Sequence, residues 1–500
     1  MINFLKKSIA KIWAKNHVAK TEDFKNNAEV LQEKLLLDLV KKSEKTLFGL
    51  QHNFSEIKSV EDFQKNVKIS DYEDLKPFVE KVKHGDKNIL WPEKPEYFAK
   101  TSGTTSGTKY IPLTKEGMDY QVKAAQSALF HYIAQKNNAD FVNGKMIFLQ
   151  GSPELEDIND IKTGRLSGIV AHHIPKYLQK NRLPSYETNC IEDWETKVDK
   201  IVEETEKENM TLISGIPPWL IMYFEKLIER NGKKIKQLFP NLQLIVTGGV
   251  NYEPYREKME ELLGGKVDII QTFPASEGFF AFQDDFQKEG LLLQTNHGIF
   301  YEFIPLELYG KPDAPRLTLK EVELNKDYAL ILTTNSGLWA YSIGDVVRFI
   351  SKNPHRILVS GRTKHFTSAF GEHVIAFEVE EAMKATVEKF PAQITEFHLA
   401  PQVNPENGEL PYHEWFIEFE KEPENLEDFR QNLDAEMRKR NTYYDDLIAG
   451  NILQVLKITK LQKNAFQEYA KSEGKLGGQN KIPRLANDRK IGDFLKNFKI

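Results

Sequence analysis

Four short apolar runs constrain this chain more than anything else in it. Met146 to Leu149, Thr211 to Ser214, Leu242 to Val246 and Val267 to Gln271 are each strand-length, bounded by turn residues and separated by helical patterns. Strands in such β/α alternation become buried only in a parallel or mixed sheet covered by helices, so an α/β fold is expected. At 500 residues the chain exceeds what one hydrophobic core supports, and at least two domains are expected. Strand patterns dominate from Gly298 to Arg362, at Ile299 to Ile304, Tyr328 to Thr333, Val346 to Ile350 and Ile357 to Val359. The character changes after Arg362. Glu378 to Glu388 and Leu426 to Arg440 read as helices, and Ile394 to Leu399, His413 to Glu420 and Ile452 to Ile458 as strands, with a glycine-rich loop at 474–479. The expected organisation is a large N-terminal α/β domain over residues 1–361 and a smaller α+β domain over 362–500.

At the N-terminus, residues 22–50 read as one helix, preceded by a basic stretch from Met1 to Lys20 with Ile2, Leu5, Ile9, Trp13 and Val18 at helical spacing. Lys6, Lys7, Lys11 and Lys15 interrupt any apolar region that a signal peptide would need. This face is expected to pack on the body of the protein, with a membrane-surface helix as the other option. No run of ~20 apolar residues exists for stable membrane insertion. The net charge of −5, with both signs mixed, argues against nucleic acid as a partner. Cys190 is the single cysteine, so neither an intramolecular disulfide nor a cysteine metal cluster can form, and a reducing, cytoplasmic setting is expected. Oligomeric state is not legible.

The chemistry concentrates first in Thr101-Ser-Gly-Thr-Thr-Ser-Gly-Thr-Lys109. Hydroxyls, closely approachable backbone N–H groups and one cation suit a polyphosphate. The spacing differs from Gly-x-x-x-x-Gly-Lys-Ser/Thr, because Gly103 and Gly107 stand too close and Thr108 precedes Lys109. A solvated Ser/Thr/Gly linker is the plainer reading, but Lys-Tyr-Ile-Pro-Leu113 re-enters folded structure at once.

That loop resembles the signature of the adenylate-forming enzymes (acyl-CoA synthetases, luciferases and peptide-synthetase adenylation domains). Three further elements follow in the same order: Phe273-Pro-Ala-Ser-Glu277, Tyr341-Ser-Ile-Gly-Asp345, and Gly361-Arg362 running through Gly371 to Glu378-Val-Glu380. Within that superfamily the chain is most similar to the Gretchen Hagen (auxin-responsive) acyl-acid amido synthetases. The likeness lies in Ile245-Val-Thr-Gly-Gly249, in Tyr341 to Arg348, and in Gln479-Asn-Lys481-Ile-Pro-Arg484.

The resemblance implies a large N-terminal adenylate-forming domain, a mobile C-terminal domain, ATP and Mg2+. It implies that Ser102, Gly103, Thr104, Thr105, Ser106, Gly107, Thr108 and Lys109 wrap the phosphates, with Lys109 adding charge. It implies that Gly248 and Gly249 let backbone approach the nucleotide, that Phe273 stacks on adenine with Ser276 beside it, and that Glu277 holds the metal. Asp345 would accept hydrogen bonds from ribose, with Arg362 next to it, and Lys481 would serve the adenylation step from the C-terminal domain. Each residue has a plainer explanation: Phe273 as core, Glu277 as a cap of a following helix, Asp345 as a turn residue, Arg362 as a hinge ion pair and Lys481 as a surface lysine. Their joint order outweighs those explanations. Lys364 stands where many relatives carry a hinge aspartate, and His172-His173 reads as a buried or surface pair rather than an acyl-site element. The implied activity is ATP-dependent coupling of a carboxylic acid to an amino acid, with an acyl-CoA ligase as the alternative.

Overall fold

The computed structural model describes the chain except Met1 and residues 103–107, 175–178, 192, 250–251, 253–254, 364–365, 368–369, 371–373, 404, 406–408, 450–451, 474–481 and 487, and it leaves aside some side chains within elements, those of Ser102, Thr108 and Arg362 among them. The chain forms two compact units: Met1–Gly249 with Gly265–Leu358, and Val250–Gly264 with Val359–Ile500. Against the boundary expected at 361/362, the second unit begins at Val359 and also takes in the stretch 250–264.

In the first unit the four apolar runs become β3 (Lys145–Phe148), β7 (Met210–Ser214), β8 (Leu244–Gly248) and β9 (Asp268–Ala275). They lie side by side and parallel in the order β9-β8-β7-β3, with β6 (Arg182–Leu183) beyond β3. Burial at consecutive positions, as from Met210 to Ile213 of β7, explains the near-continuous hydrophobicity of the inner strands, while β9 is mostly half-buried. After β9 the chain turns back as β10 (Gly278–Phe282), and the sheet continues through β11 (Leu291–Leu293), β15 (His355–Arg362), β14 (Tyr341–Lys352), β13 (Asp327–Thr334) and β12 (Ile299–Pro305). These additions pair antiparallel at β9/β10, β10/β11, β11/β15, β12/β13 and β13/β14, so the sheet is mixed. A separate four-stranded sheet holds β2 (Thr108–Leu113), β1 (Tyr97–Ser102), β5 (Ile161–Gly164) and β4 (Glu156–Ile158) in that order.

The single helix expected over 22–50 is instead part of three: α1 (Ile2–Asn26), α2 (Ala28–Lys42) and α3 (Leu47–Gln51). Polar caps make the second break. Ser43 ends α2, and the Thr46 side chain accepts from the Gly49 N–H to begin α3. A long helix, Lys115–Lys136, follows β2, and the Thr114 hydroxyl caps it by accepting from the Gly117 N–H.

The second unit is α+β. β18 (Gln393–Gln402) pairs antiparallel with β19 (Tyr412–Lys421), which pairs parallel with β20 (Lys457–Lys460). Trp415 and Ile417 face one core with Phe397, Phe429 and Leu433, while Phe416 faces another with Phe466, Ile491 and Leu495. The period-two pattern of 413–420 thus serves two buried faces. The expected strand at 452–458 is displaced to Lys457–Lys460, because β20 takes its register from Glu414 to Ile417 of β19.

Candidate active site

The phosphate-type loop closes a β-hairpin. Ser102 pairs with Thr108 and Thr101 with Lys109, so 103–107 connect antiparallel strands rather than a strand and a helix. Ser102 and Thr108 are the hairpin's last described backbone pair, and Gly103, Thr104, Thr105, Ser106 and Gly107 lie outside the described residues. Lys109 sits at the rim, with its Nζ 5.5 Å from the centre of the Tyr72 ring. Tyr72 is itself fixed: its hydroxyl accepts from the Tyr110 N–H at 2.8 Å, and burial raises its pKa.

Gly248 ends β8 and Gly249 follows it, at the carboxyl side of the parallel strands where ligands of open α/β sheets collect. Gly249 has φ +81, a left-handed conformation that suits glycine. Gly248 has a different constraint, because a Cβ there would stand 2.6 Å from the Thr272 carbonyl oxygen on β9. Gly248→Ala is therefore expected to cost about 1–3 kcal/mol of stability, read as an earlier urea midpoint. An unchanged midpoint would leave only the ligand-approach role for that glycine.

Phe273 is 7% exposed and meets Phe280 edge-to-face, with centroids 5.0 Å apart. It belongs to β9 and packs on Phe280 of β10. Ser276 and Glu277 form the two-residue connection between β9 and β10, since Ala275 pairs with Gly278. No helix follows Glu277, so the helix-cap explanation falls away. The hairpin lifts the carboxylate just past the end of β9. Gln121 holds the turn by donating to the Ser276 carbonyl at 3.4 Å. Glu277 lines a narrow cavity with Leu113, Gly117, Tyr120, Gln121, His297, Asn335 and Ser336 among its walls. The cavity thus brings Glu277 against the end of β2, the strand that begins with Thr108 and Lys109. His297 Nδ1 and Asn335 Nδ2 are buried there without a hydrogen-bond partner. Burial lowers the His297 pKa to about 4, so the imidazole is neutral at pH 7.

Asp345 owes its place to a backbone irregularity. Ser342 pairs with Ile331 and Val346 with Ala329, so β14 spends four steps where β13 spends two. Ile343, Gly344 and Asp345 form the resulting bulge, with Gly344 at φ +81. Bulges re-aim side chains out of a ladder, so Asp345 is a bulge residue and not the end of a turn. Arg362 ends β15, with its side chain outside the described set. Lys481 and Lys364 also lie outside the described residues.

The chain just after Lys481 is firmly held. The Leu399 N–H donates to the Arg484 carbonyl and the Ala486 N–H to the Leu399 carbonyl, each bond 2.8–3.0 Å. The Arg484 guanidinium donates to Glu380 at 3.2 Å, to the Tyr255 hydroxyl at 2.8 Å, and to Glu396. His172 and His173 are each bonded locally, to the Pro153 carbonyl at 2.8 Å and the Tyr97 hydroxyl at 3.1 Å. Sequence reasoning missed Gln121, His297 and Asn335, which come from distant segments with no motif, and treated Arg484 only as a flank of Lys481.

The fold is that of the adenylate-forming ligases. A solved acyl acid amido synthetase, AtGH3.15 in complex with 2,4-DB, superposes with a TM-score of 0.79 over 97% of this chain and 96% of its own at 17% identity. A 2-hydroxyisobutyryl-CoA ligase in a postadenylation state gives 0.62 over 93% and 90% at 12% identity. Models of the GH3 family match in order along the chain: the N-terminal domain at residues 17–181 and 159–269, the central domain at 292–362 and the C-terminal domain at 377–490. The chain belongs to the GH3 family. Among relatives, the probable indole-3-acetic acid-amido synthetase GH3.1 of Arabidopsis thaliana is 22% identical, covering 95% of this chain and 92% of its own. The 4-substituted benzoates-glutamate ligase GH3.12 of the same plant is 22% identical over 65% and 67%.

Proposed function

We propose that this protein is an ATP-dependent acyl acid amido synthetase. A carboxylate oxygen of the acid attacks the α-phosphate of ATP, pyrophosphate leaves, and an acyl-adenylate forms. The amine of an amino acid then attacks the acyl carbon, AMP departs, and the amine proton passes to solvent. The observation that carries this reading is the ordered match to the three GH3 domains across Gly248, Gly249, Asp345 and Arg362, and on through Lys481. Support also comes from Glu277 and Asp345, each raised out of the sheet by a backbone device, a hairpin turn and a bulge.

Glu277 fits a magnesium ion. It is a single carboxylate in the cavity wall, and among the described residues there is no group of three or more His, Cys, Asp or Glu side chains suited to a metal. Mg2+ favours one or two carboxylates together with phosphate oxygens and waters over an all-protein cage. Bound there, the ion would offset charge on the β- and γ-phosphates. The hairpin loop 102–109 would surround the phosphates with hydroxyls and N–H groups, with Lys109 adding positive charge. Asp345 would accept from the ribose hydroxyls beside Arg362, and Lys481 would balance charge during adenylation. Phe273, on β9, would stack against adenine. A cytoplasmic setting accords with the lone cysteine, Cys190.

Exchange of labelled pyrophosphate into ATP tests the first step. Exchange that requires both an acid and Mg2+ is expected. Exchange independent of any acid would refute carboxylate activation.

A further inference from the structure

The outward face of α1 carries an apolar patch in a basic field. One side of the helix packs on the first unit. Ala14 is fully buried against Ala124, Ala128 and Tyr132, with Ala10 beside it, and His17 bonds to the Ser127 hydroxyl at 2.7 Å. Docking therefore accounts for Ala10, Ala14, His17 and Thr21. It does not account for Ile9, Ile12 and Trp13, which are 44%, 59% and 59% exposed within one helical turn of one another. Lys6, Lys15 and Lys20 are exposed along the same helix. From Ile2 to Thr21 there are five lysines and no acidic residue, in a chain whose net charge is −5. Lys7 is drawn to an acid, pairing with Asp140 at 2.6 Å. A tryptophan and two isoleucines ringed by lysines match the requirements of an anionic bilayer surface: aromatic and aliphatic groups for the headgroup boundary, and cations for the phosphates. No helix among the described residues is long and apolar enough to cross a membrane, so the contact is peripheral.

We propose that α1 docks the protein reversibly on anionic lipid surfaces through Ile9, Ile12 and Trp13, with Lys6, Lys15 and Lys20 facing the headgroups. The contact is electrostatic in range and apolar at its centre, so it weakens with salt.

Flotation of the full-length protein with vesicles tests this. Vesicles of phosphatidylcholine alone are compared with vesicles containing about one third phosphatidylserine, at about 0.1 M and about 0.5 M salt. The bound fraction is expected to be about tenfold higher on the anionic vesicles at low salt and to fall at high salt. The combined Lys6→Glu, Lys15→Glu and Lys20→Glu variant should lose that binding. Trp13→Ser should weaken it several-fold, and both should keep the activity of the parent in free solution, which also reports that they fold. Equal binding to both vesicle types, or binding to neither, overturns the proposal. So does a concentration-dependent dimer that Trp13→Ser abolishes in a protein that does not float, because the patch would then be covered by a second copy.

Discussion

Glu277→Gln is expected to lower acid-dependent pyrophosphate release about 100- to 1,000-fold while moving the melting temperature by no more than about 2 °C. The substitution keeps the shape of the side chain and removes its charge. Glu277 sits in the two-residue hairpin connection, where Gln121 donates to the neighbouring Ser276 carbonyl. The loss should appear as a raised Mg2+ requirement as well as a slower rate, because the carboxylate is assigned to the ion and not to the acid. A variant with parental activity and parental Mg2+ dependence would remove Glu277 from the site.

Arg484→Ala carries the largest expected effect on stability, about 3–5 kcal/mol. The Arg484, Glu380 and Glu396 side chains are 9%, 12% and 14% exposed, and removal of the guanidinium would leave two largely covered carboxylates without the cation between them. The guanidinium also stacks 4.4 Å from the centre of the Phe397 ring, so packing is lost with the charge. Arg484→Lys should recover part of the charge but not the fork geometry, and should fall between the parent and alanine. Hydrogen exchange along β18 reads this locally: the Leu399 amide, which donates to the Arg484 carbonyl, should lose protection in the alanine variant. Unchanged protection would mean that the cluster is not what holds the segment after Lys481.

Much of this architecture was legible in the sequence because buried parallel strands have a distinctive pattern. β3, β7, β8 and β9 come from four apolar runs, and the strand-rich region from 298 to 362 supplies β12 to β15, whereas β10 and β11 fall between the two and were not read as strands. The helix at Leu426–Arg440 was read to the residue, since polar and apolar positions along it alternate at helical spacing. Errors arose where caps outweigh periodicity. Ser43 and Thr46 split what looks like one helix, and the pairing of β20 with β19 overrides the apolar run at 452–458. The site was legible as residue types but not as backbone geometry. Nothing in Ser-Ile-Gly-Asp distinguishes a turn from a two-residue bulge, because the difference lies in the register of β13. The wall behind Glu277 was illegible for another reason: Gln121, His297 and Asn335 are single polar residues from three distant segments, joined only by the fold.

The central claim is amide formation through an acyl-adenylate. Its most direct test is mass spectrometry of one reaction containing the protein, ATP, Mg2+, pooled carboxylic acids, pooled amino acids and CoA. The account predicts new masses equal to acid plus amino acid minus water, with AMP released in step. CoA thioesters in place of amides would contradict it, and so would the absence of any acid-dependent AMP.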